Sequence, residues 1–338
     1  GNPMSLRTLV SALKRGKRVV IFPEGRITVT GGLMKIYEGP GAVATMAKAK
    51  ILPVRIDGAQ FSPFSRLKGV YPRKLFPKIT LTFLPPVSAE TPEDLKGSAL
   101  REFQAEKLYT VMTDMVFKSS NIDQTIWQAL LDVKASYGGK RIILEDIQRK
   151  PMSVNRLILG SFILGRKLSK LTTGQKYVGL LLPNANAAVA SIFGLYAYGR
   201  VPAMLNFSTG AVNMVAACTA AEVRSIITSR KFIEAGEMHE DIALLSKSCK
   251  IIYLEDVRET VGLVDKVRGL TQRLFTPASL KACGMVKDPH SPAVVLFTSG
   301  SEGVPKGVVL SHRNLIANKH QILTRIALMP NDTFFCAL

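Results

Sequence analysis

Residues Thr298-Ser299-Gly300-Ser301-Glu302-Gly303-Val304-Pro305-Lys306-Gly307 have the make-up of a phosphate-binding loop. One apolar run, 293–297, leads into them, and another, Val308-Val309-Leu310, leads out. Gly300 and Gly303 would let backbone N–H groups converge on an anion with no side chain in the way. Thr298, Ser299 and Ser301 offer hydroxyls, and Lys306 offers a mobile positive charge that suits a phosphate. The spelling is not that of a P-loop NTPase, which reads Gly-x-x-x-x-Gly-Lys-Ser/Thr after its strand. Here Pro305 precedes the lysine and Gly307 follows it. The competing reading is a tight glycine turn between two strands, with no ligand.

A second constellation lies near the start of the chain. Phe22-Pro23-Glu24-Gly25-Arg26 closes an apolar run, Val19-Val20-Ile21-Phe22, which reads as a buried strand. Proline and glycine around an acid at a strand end would present Glu24 and Arg26 rigidly, and arginine suits bidentate contact with a phosphate. Gly32-Leu33-Met34-Lys35, Glu38-Gly39 and Leu52-Pro53-Val54 follow. Gly39-Pro40-Gly41-Ala42-Val43-Ala44, with Asp57 after the next strand, fits a loose dinucleotide fingerprint, but Lys35-Ile36-Tyr37 is a poor strand to introduce one. The plain alternative for Phe22–Arg26 is a turn bearing an exposed ion pair. Farther on, Arg66, Lys68, Arg73, Lys74 and Lys78 alternate with Phe61, Phe64, Tyr71, Leu75 and Phe76, and no acid occurs from Gly58 to Ala89. Basic residues among aromatics suit an anionic lipid surface or nucleic acid; a solvated loop is the bland reading.

The elements that must position these groups alternate helix and strand. Leu6, Leu9, Val10 and Leu13 recur at helical spacing, and 41–50 is helical and rich in alanine. Strands are expected over 51–56 and 78–84, and a long helix over 92–117. The pattern breaks at Ser119, Ser120 and Asn121, which places a domain boundary there: one domain over 1–118, a second over 119–338. Helices follow near 126–137 and 153–171, then strands at 178–182, 201–205, 225–228, 250–254 and 293–298 with helices between most of them. That rhythm predicts a largely parallel sheet covered by helices, an α/β fold in both domains. A last strand-like stretch covers Thr333–Ala337.

Composition bounds the rest. The 338 residues suffice for about two domains at ~150 residues each. With 47% apolar residues, disorder of the whole chain is excluded. The net charge of +20 favours anionic partners. Cys218, Cys249, Cys283 and Cys336 show no metal-ligand or redox spacing, which fits a reducing, cytoplasmic setting. Tyr177–Gly199 carries no charge and could span a bilayer by length, yet Pro183, Asn184 and Asn186 divide it better into a strand and a buried helix. Both ends look cut, so an internal piece of a longer protein is expected.

The loop Thr-Ser-Gly-Ser-x-Gly-x-Pro-Lys-Gly, followed by Ser311-His312, resembles the signature of the adenylate-forming superfamily of acyl-CoA and acyl-carrier-protein synthetases, adenylation domains and luciferases. Threonine is usual where Glu302 stands. Tyr137-Gly138-Gly139-Lys140, Val178-Gly179-Leu180-Leu181-Leu182-Pro183-Asn184 and Val201-Pro202-Ala203-Met204-Leu205-Asn206 look like the opening of the same superfamily. The resemblance implies the amino-terminal part of an AMP-binding domain that uses ATP and Mg²⁺. Thr298, Ser299, Gly300, Ser301, Glu302, Gly303, Lys306 and Gly307 would hold the phosphates; the metal ligands are not read. Phe22–Arg26 and Leu52-Pro53-Val54 are similar to two blocks of the glycerolipid acyltransferases. By that resemblance Glu24, Gly25, Arg26 and Pro53 would bind the phosphate of the acceptor. The His-x4-Asp base of that family is missing, since no histidine precedes His239.

Together the two resemblances imply a fatty acid activated by ATP, passed to acyl-carrier protein and then to a lysophospholipid. They also imply association with the cytoplasmic face of a bacterial inner membrane. Arg66, Lys68, Arg73 and Lys74 would meet the membrane surface, and nucleic acid is not an expected partner. A long-chain acyl-CoA ligase fused to an acyltransferase of other purpose, and a fragment that only binds membrane and nucleotide, are the alternatives.

Overall fold

The structure is a computed structural model that describes residues 3–67, 69–92, 94–299, 305–326 and 328–336, with backbone alone at 3–5 and 299. The chain divides into two compact units, Gly1–Ile122 with Ala317–Phe335, and Asp123–Ile316 with Cys336–Leu338.

The first unit contains α1 (Pro3–Lys14), α2 (Glu38–Met46), β1 (Val54–Asp57), β2 (Thr80–Phe83) and α3 (Gly97–Lys118). The two strands pair antiparallel, Val54 opposite Phe83 and Asp57 opposite Thr80. The helical spacing read from the sequence gives α3 its buried side: Leu108, Met112 and Met115 pack against Leu33, Ile36, Ile51 and Leu84. One expectation fails. Val19–Phe22 forms no strand, and Val20 and Phe22 are 85% and 68% exposed. An apolar run becomes a strand only where a neighbour completes its backbone hydrogen bonds, and among the described residues none pairs with it.

The second unit begins with α4 (Ile126–Tyr137), the hairpin β3 (Ile142–Glu145) and β4 (Pro151–Ser153), and α5 (Val154–Leu171). Then come β5 (Tyr177–Leu180), α6 (Asn186–Ala197), β6 (Val201–Met204), α7 (Ala211–Ala220), β7 (Ser225–Thr228), α8 (Arg230–Ala235) and α9 (His239–Leu245). The series closes with β8 (Lys250–Tyr253), α10 (Leu254–Glu259), α11 (Leu263–Leu274), α12 (Thr276–Cys283), β9 (Pro292–Ser299), β10 (Pro305–Ser311) and the first turn of α13 (His312–Arg325), whose residues from Ala317 on are counted with the first unit. Thr125 and Ser153 cap α4 and α5, each side chain accepting a backbone N–H of the first turn. The β3–β4 hairpin is not anticipated by the sequence, and Thr333–Cys336 joins no strand.

Six strands form one sheet in the order β10-β9-β6-β5-β7-β8. Among the described residues of this sheet, β8, β7, β5, β6 and β9 run parallel and β10 is antiparallel to β9. All four residues of β7 are buried, as a parallel strand covered on both faces requires. The buried hydroxyl of Thr228 donates to the Leu181 carbonyl at 2.8 Å, so its polarity is satisfied. On one face α5 and α6 cross closely: a Cβ on Gly165 would lie 2.6 Å from the carbonyl oxygen of Gly194. Leu157, Ile158 and Phe162 of α5 are fully buried beside Trp127, whose indole N–H donates to the Phe193 carbonyl at 2.9 Å. The uncharged stretch Tyr177–Gly199 is β5 and α6, and no described helix is long and apolar enough to cross a membrane.

Candidate nucleotide-binding site

β9 starts in the core and ends in solvent. Ala293, Val294 and Val295 are buried, and Thr298 is exposed. Because β9 is parallel to β6, its last residues reach the carboxyl edge of the sheet, where open α/β sheets bind their ligands. The chain also changes sides of the sheet there, leaving β6 for β7 beyond β5 and returning from β8 to β9. Gly300, Ser301, Glu302, Gly303 and Val304 lie outside the described residues. Their flanks are fixed: Ser299 pairs with Pro305, Thr298 with Lys306 and Phe297 with Gly307. Directly paired residues of an antiparallel ladder share a face, so the Thr298 hydroxyl and the exposed Lys306 ammonium stand side by side where the loop departs.

The far end of β10 is anchored more elaborately than the sequence suggested. The register shifts between Leu310 and Ser311. The hydroxyl and N–H of Ser311 donate to Asn314 Oδ1 at 2.8 and 2.9 Å, and the Asn314 N–H donates back to Ser311 Oγ at 3.1 Å. The next N–H groups, of His312 and Arg313, donate to the carbonyls of Ser291 and Pro289. Arg313 also pairs with Asp123 at 2.7 Å. His312 is buried at the head of α13, edge-on to Tyr196, and its Nδ1 accepts a long hydrogen bond from Ile126 N–H. Burial pushes its pKa down to about 4 and raises the Tyr196 hydroxyl above the ordinary tyrosine range. His312 is therefore neutral near pH 7 and holds the hairpin in place. The Ser-His pair after the loop was the sequence signal for this anchor; Asp123, Tyr196 and Asn314 gave none.

These groups suit a nucleoside triphosphate: a cation and a hydroxyl at paired positions near the carboxyl edge of the sheet. No cluster of three His, Cys, Asp or Glu that could hold a metal occurs among the described residues. Mg²⁺ in such a site would ride on the phosphates, as it commonly does.

In the first unit, Glu24 is a turn residue whose carboxylate accepts the Met34 N–H at 2.9 Å. Gly25 takes φ +65°, and its N–H donates to the Phe22 carbonyl at 3.0 Å. A Cβ there would be strained and would sit 3.1 Å from the Tyr37 ring. Arg26 is exposed. Pro53 is buried and lines a cavity of about 700 Å³ with Leu84, Val87, Phe103 and Val111; none of Glu24, Gly25 and Arg26 lines it. In the basic stretch, Arg66 and Arg73 are exposed, and the Lys74 ammonium lies 5.1 Å over the Phe61 ring. Lys68 lies outside the described residues.

The model of the AMP-binding enzyme family matches residues 164–338, and that of an acyltransferase family matches residues 2–57. A sulfoacetate–CoA ligase of Cupriavidus necator is 25% identical over 219 residues, 62% of this chain and 39% of its own length. A medium-chain fatty-acid–CoA ligase of Escherichia coli is 50% identical over 42 residues, 12% of this chain and 7% of its own. The crystal structure of VinN with L-aspartate aligns at a TM-score of 0.46 and 19% identity, over 60% of this chain and 48% of that one. The matched stretch spans well under half the length of these curated relatives. With the AMP-binding model covering just over half of its residues, the chain belongs to the AMP-binding enzymes, and an acyltransferase fragment precedes that domain.

Proposed function

We propose that this chain is part of a bifunctional phospholipid-remodelling enzyme: a bacterial 2-acylglycerophosphoethanolamine acyltransferase joined to an acyl-acyl-carrier-protein synthetase. A fatty-acid carboxylate attacks the α-phosphorus of ATP, giving acyl-adenylate and releasing pyrophosphate. The thiol of a carrier protein attacks the acyl carbonyl and AMP leaves. The free hydroxyl of a lysophospholipid then takes the acyl group and the thiol is released. Lys306, beside Thr298, stabilises charge on the departing pyrophosphate; Mg²⁺ brought with the nucleotide would add to that stabilisation. In the acyltransferase unit Arg26 receives the lysolipid phosphate, and Arg66, Lys68, Arg73 and Lys74 meet the membrane surface on the cytoplasmic side.

The observation that carries this reading is the order of the two matches, acyltransferase at 2–57 ahead of AMP-binding domain at 164–338, combined with the Thr298–Lys306 rung at the sheet edge. The likeness to a fatty-acid–CoA ligase favours one rival, in which the thiol acceptor is CoA. The test is to supply the intact protein with labelled fatty acid and ATP and offer acyl-carrier protein or CoA. Lysophosphatidylethanolamine is added afterwards. Loading of the carrier protein followed by label in the phospholipid is expected. Loading of CoA alone supports the rival, and thioester formation with neither thiol refutes both.

A further inference from the structure

Helix α11 is amphipathic in an unusual sense: its apolar stripe faces solvent. Leu263, Val267, Leu270 and Leu274 recur at spacings of three and four, so they form one line along the helix. With Val264 beside them and Phe275 at the end, all six are between 42% and 77% exposed. The opposite face is the docked one. Asp265 pairs with Lys167 at 2.7 Å and Arg166 at 3.6 Å of α5, and buried Gly269 lies against Ile163 and Leu159. The helix is thus held firmly and shows its apolar line outward.

Charge says what that line meets. The acid in α11 is Asp265, and it is turned into α5. Lys266 and Arg273 follow one flank of the stripe; Arg268 lies on the other side, beyond Val264 and Thr271. An apolar stripe about 18 Å long, bordered by cations and free of exposed carboxylates, is the pattern of a helix lying in a lipid interface with its apolar face among the acyl chains. The leaflet it fits is anionic. From the exposed stripe and its cationic borders, we infer that α11 is a membrane-contact helix that seats the AMP-binding unit on an anionic bilayer surface. The inference does not rest on the acyltransferase reading.

The experiment is vesicle co-sedimentation of the full 338-residue chain. Phosphatidylcholine vesicles are compared with vesicles that also contain phosphatidylglycerol. Val267→Glu/Leu270→Glu places carboxylates on exposed positions, so folding is undisturbed, and circular dichroism checks this. The double variant should lose at least tenfold in partitioning. Lys266→Ser/Arg268→Ser/Arg273→Ser should lose roughly a hundredfold on the anionic vesicles alone, at about 1 kcal/mol per cation. A Leu270→Trp reporter should shift its emission to the blue on vesicles. Parental partitioning by the double variant, or no blue shift, overturns the proposal. So does loss of binding only in Arg66→Ser/Arg73→Ser/Lys74→Ser, which would put all contact on the first unit. Binding of the stripe to an acidic carrier protein in place of vesicles also overturns it, by making α11 a protein-docking face.

Discussion

The imidazole of His312 stands edge-on to the ring of Tyr196, centroids 4.9 Å apart and planes 69° from parallel. Tyr196 in turn meets Phe193, and Phe193 meets Trp127. A buried aromatic chain thereby ties the residue that follows β10 to helices α4 and α6 of the second unit. Its worth lies in register: with the foot of β10 fixed, Lys306 stays opposite Thr298.

The buried imidazole makes stability depend on pH. In the unfolded chain His312 takes its proton near its ordinary value of about 6.5; in the fold it does so only near 4. Between those values the unfolded state holds more protons, so stability falls as pH drops through the window. His320, also held down to about 4 by burial, Lys319 and Arg55, acts in the same direction. Unfolding free energies from urea titrations between pH 7 and pH 4.5 should decrease, by at most ~1.4 kcal/mol per pH unit for each histidine. His312→Gln should flatten the slope. An unchanged slope in that variant would show that His312 is not the titrating group.

Gly165→Val should destabilise the second unit by about 1–3 kcal/mol, because the added atoms would press on the backbone of Gly194 at 2.6 Å. Gly160→Ala in the same helix is the control. Its Cβ meets only Ala190 at 3.9 Å, so the change should be neutral or stabilise by up to ~1 kcal/mol through helix propensity. Equal effects of the two substitutions in denaturant titrations would refute the close crossing.

The parallel strands of the second unit, with α4 and α5, were legible because their signals were local and agreed, whereas the β3–β4 hairpin was not. β7, Ser225–Thr228, is a short apolar run, and it is buried on all four positions. The same kind of run at Val19–Phe22 misled, because burial depends on a neighbour that the run itself does not encode. The phosphate loop was read from the types and spacing of its residues; the structure describes its flanks, with Thr298 opposite Lys306, while 300–304 lie outside the described residues. What holds the loop's foot was not legible: Asp123 and Arg313 are 190 residues apart in sequence, and no periodicity links them. Likewise the helical pattern of α11 predicts an apolar side without saying that solvent, not the core, receives it.

The 338-residue chain by itself should not acylate lysophospholipids. It has no histidine before His239, so the acyltransferase part lacks a His-x4-Asp base to take the acceptor's proton. Transfer of labelled acyl groups from acyl-carrier protein to lysophosphatidylethanolamine should equal that of a boiled control. Clear turnover would mean that another group serves as base.

In the intact protein, Arg26→Ala should raise the lysolipid KM about ten- to a hundredfold, since a charge-assisted hydrogen bond is worth ~1.5–3 kcal/mol. Arg26 is exposed, so the fold should not change. Glu24→Ala is the contrast. It removes the acceptor for the Met34 N–H and should loosen the turn, lowering stability as well as activity. If KM for lysolipid is unmoved by Arg26→Ala, the phosphate does not bind there.

Lys306→Ala in the intact protein should lower fatty-acid-dependent exchange of pyrophosphate into ATP while leaving acyl transfer from preformed acyl-carrier protein to lysolipid nearly intact. The lysine stands opposite Thr298 where the strands enter the loop, in the AMP-binding domain, and it is exposed. Deleting one electrostatic contact to developing charge costs ~10²–10³ in rate where the donor is preorganised; a lysine at the solvent edge falls toward the lower figure. On the proposed reading acyl transfer consumes no ATP and uses the acyltransferase part, and independent sites behave additively. Both assays belong on one preparation, with circular dichroism as the folding check. Exchange that survives while transfer collapses would mean that the two chemistries are assigned to the wrong halves. Collapse of both in a folded variant would show that Lys306 also supports the acyltransferase step, through a coupling of the two units that independent sites exclude.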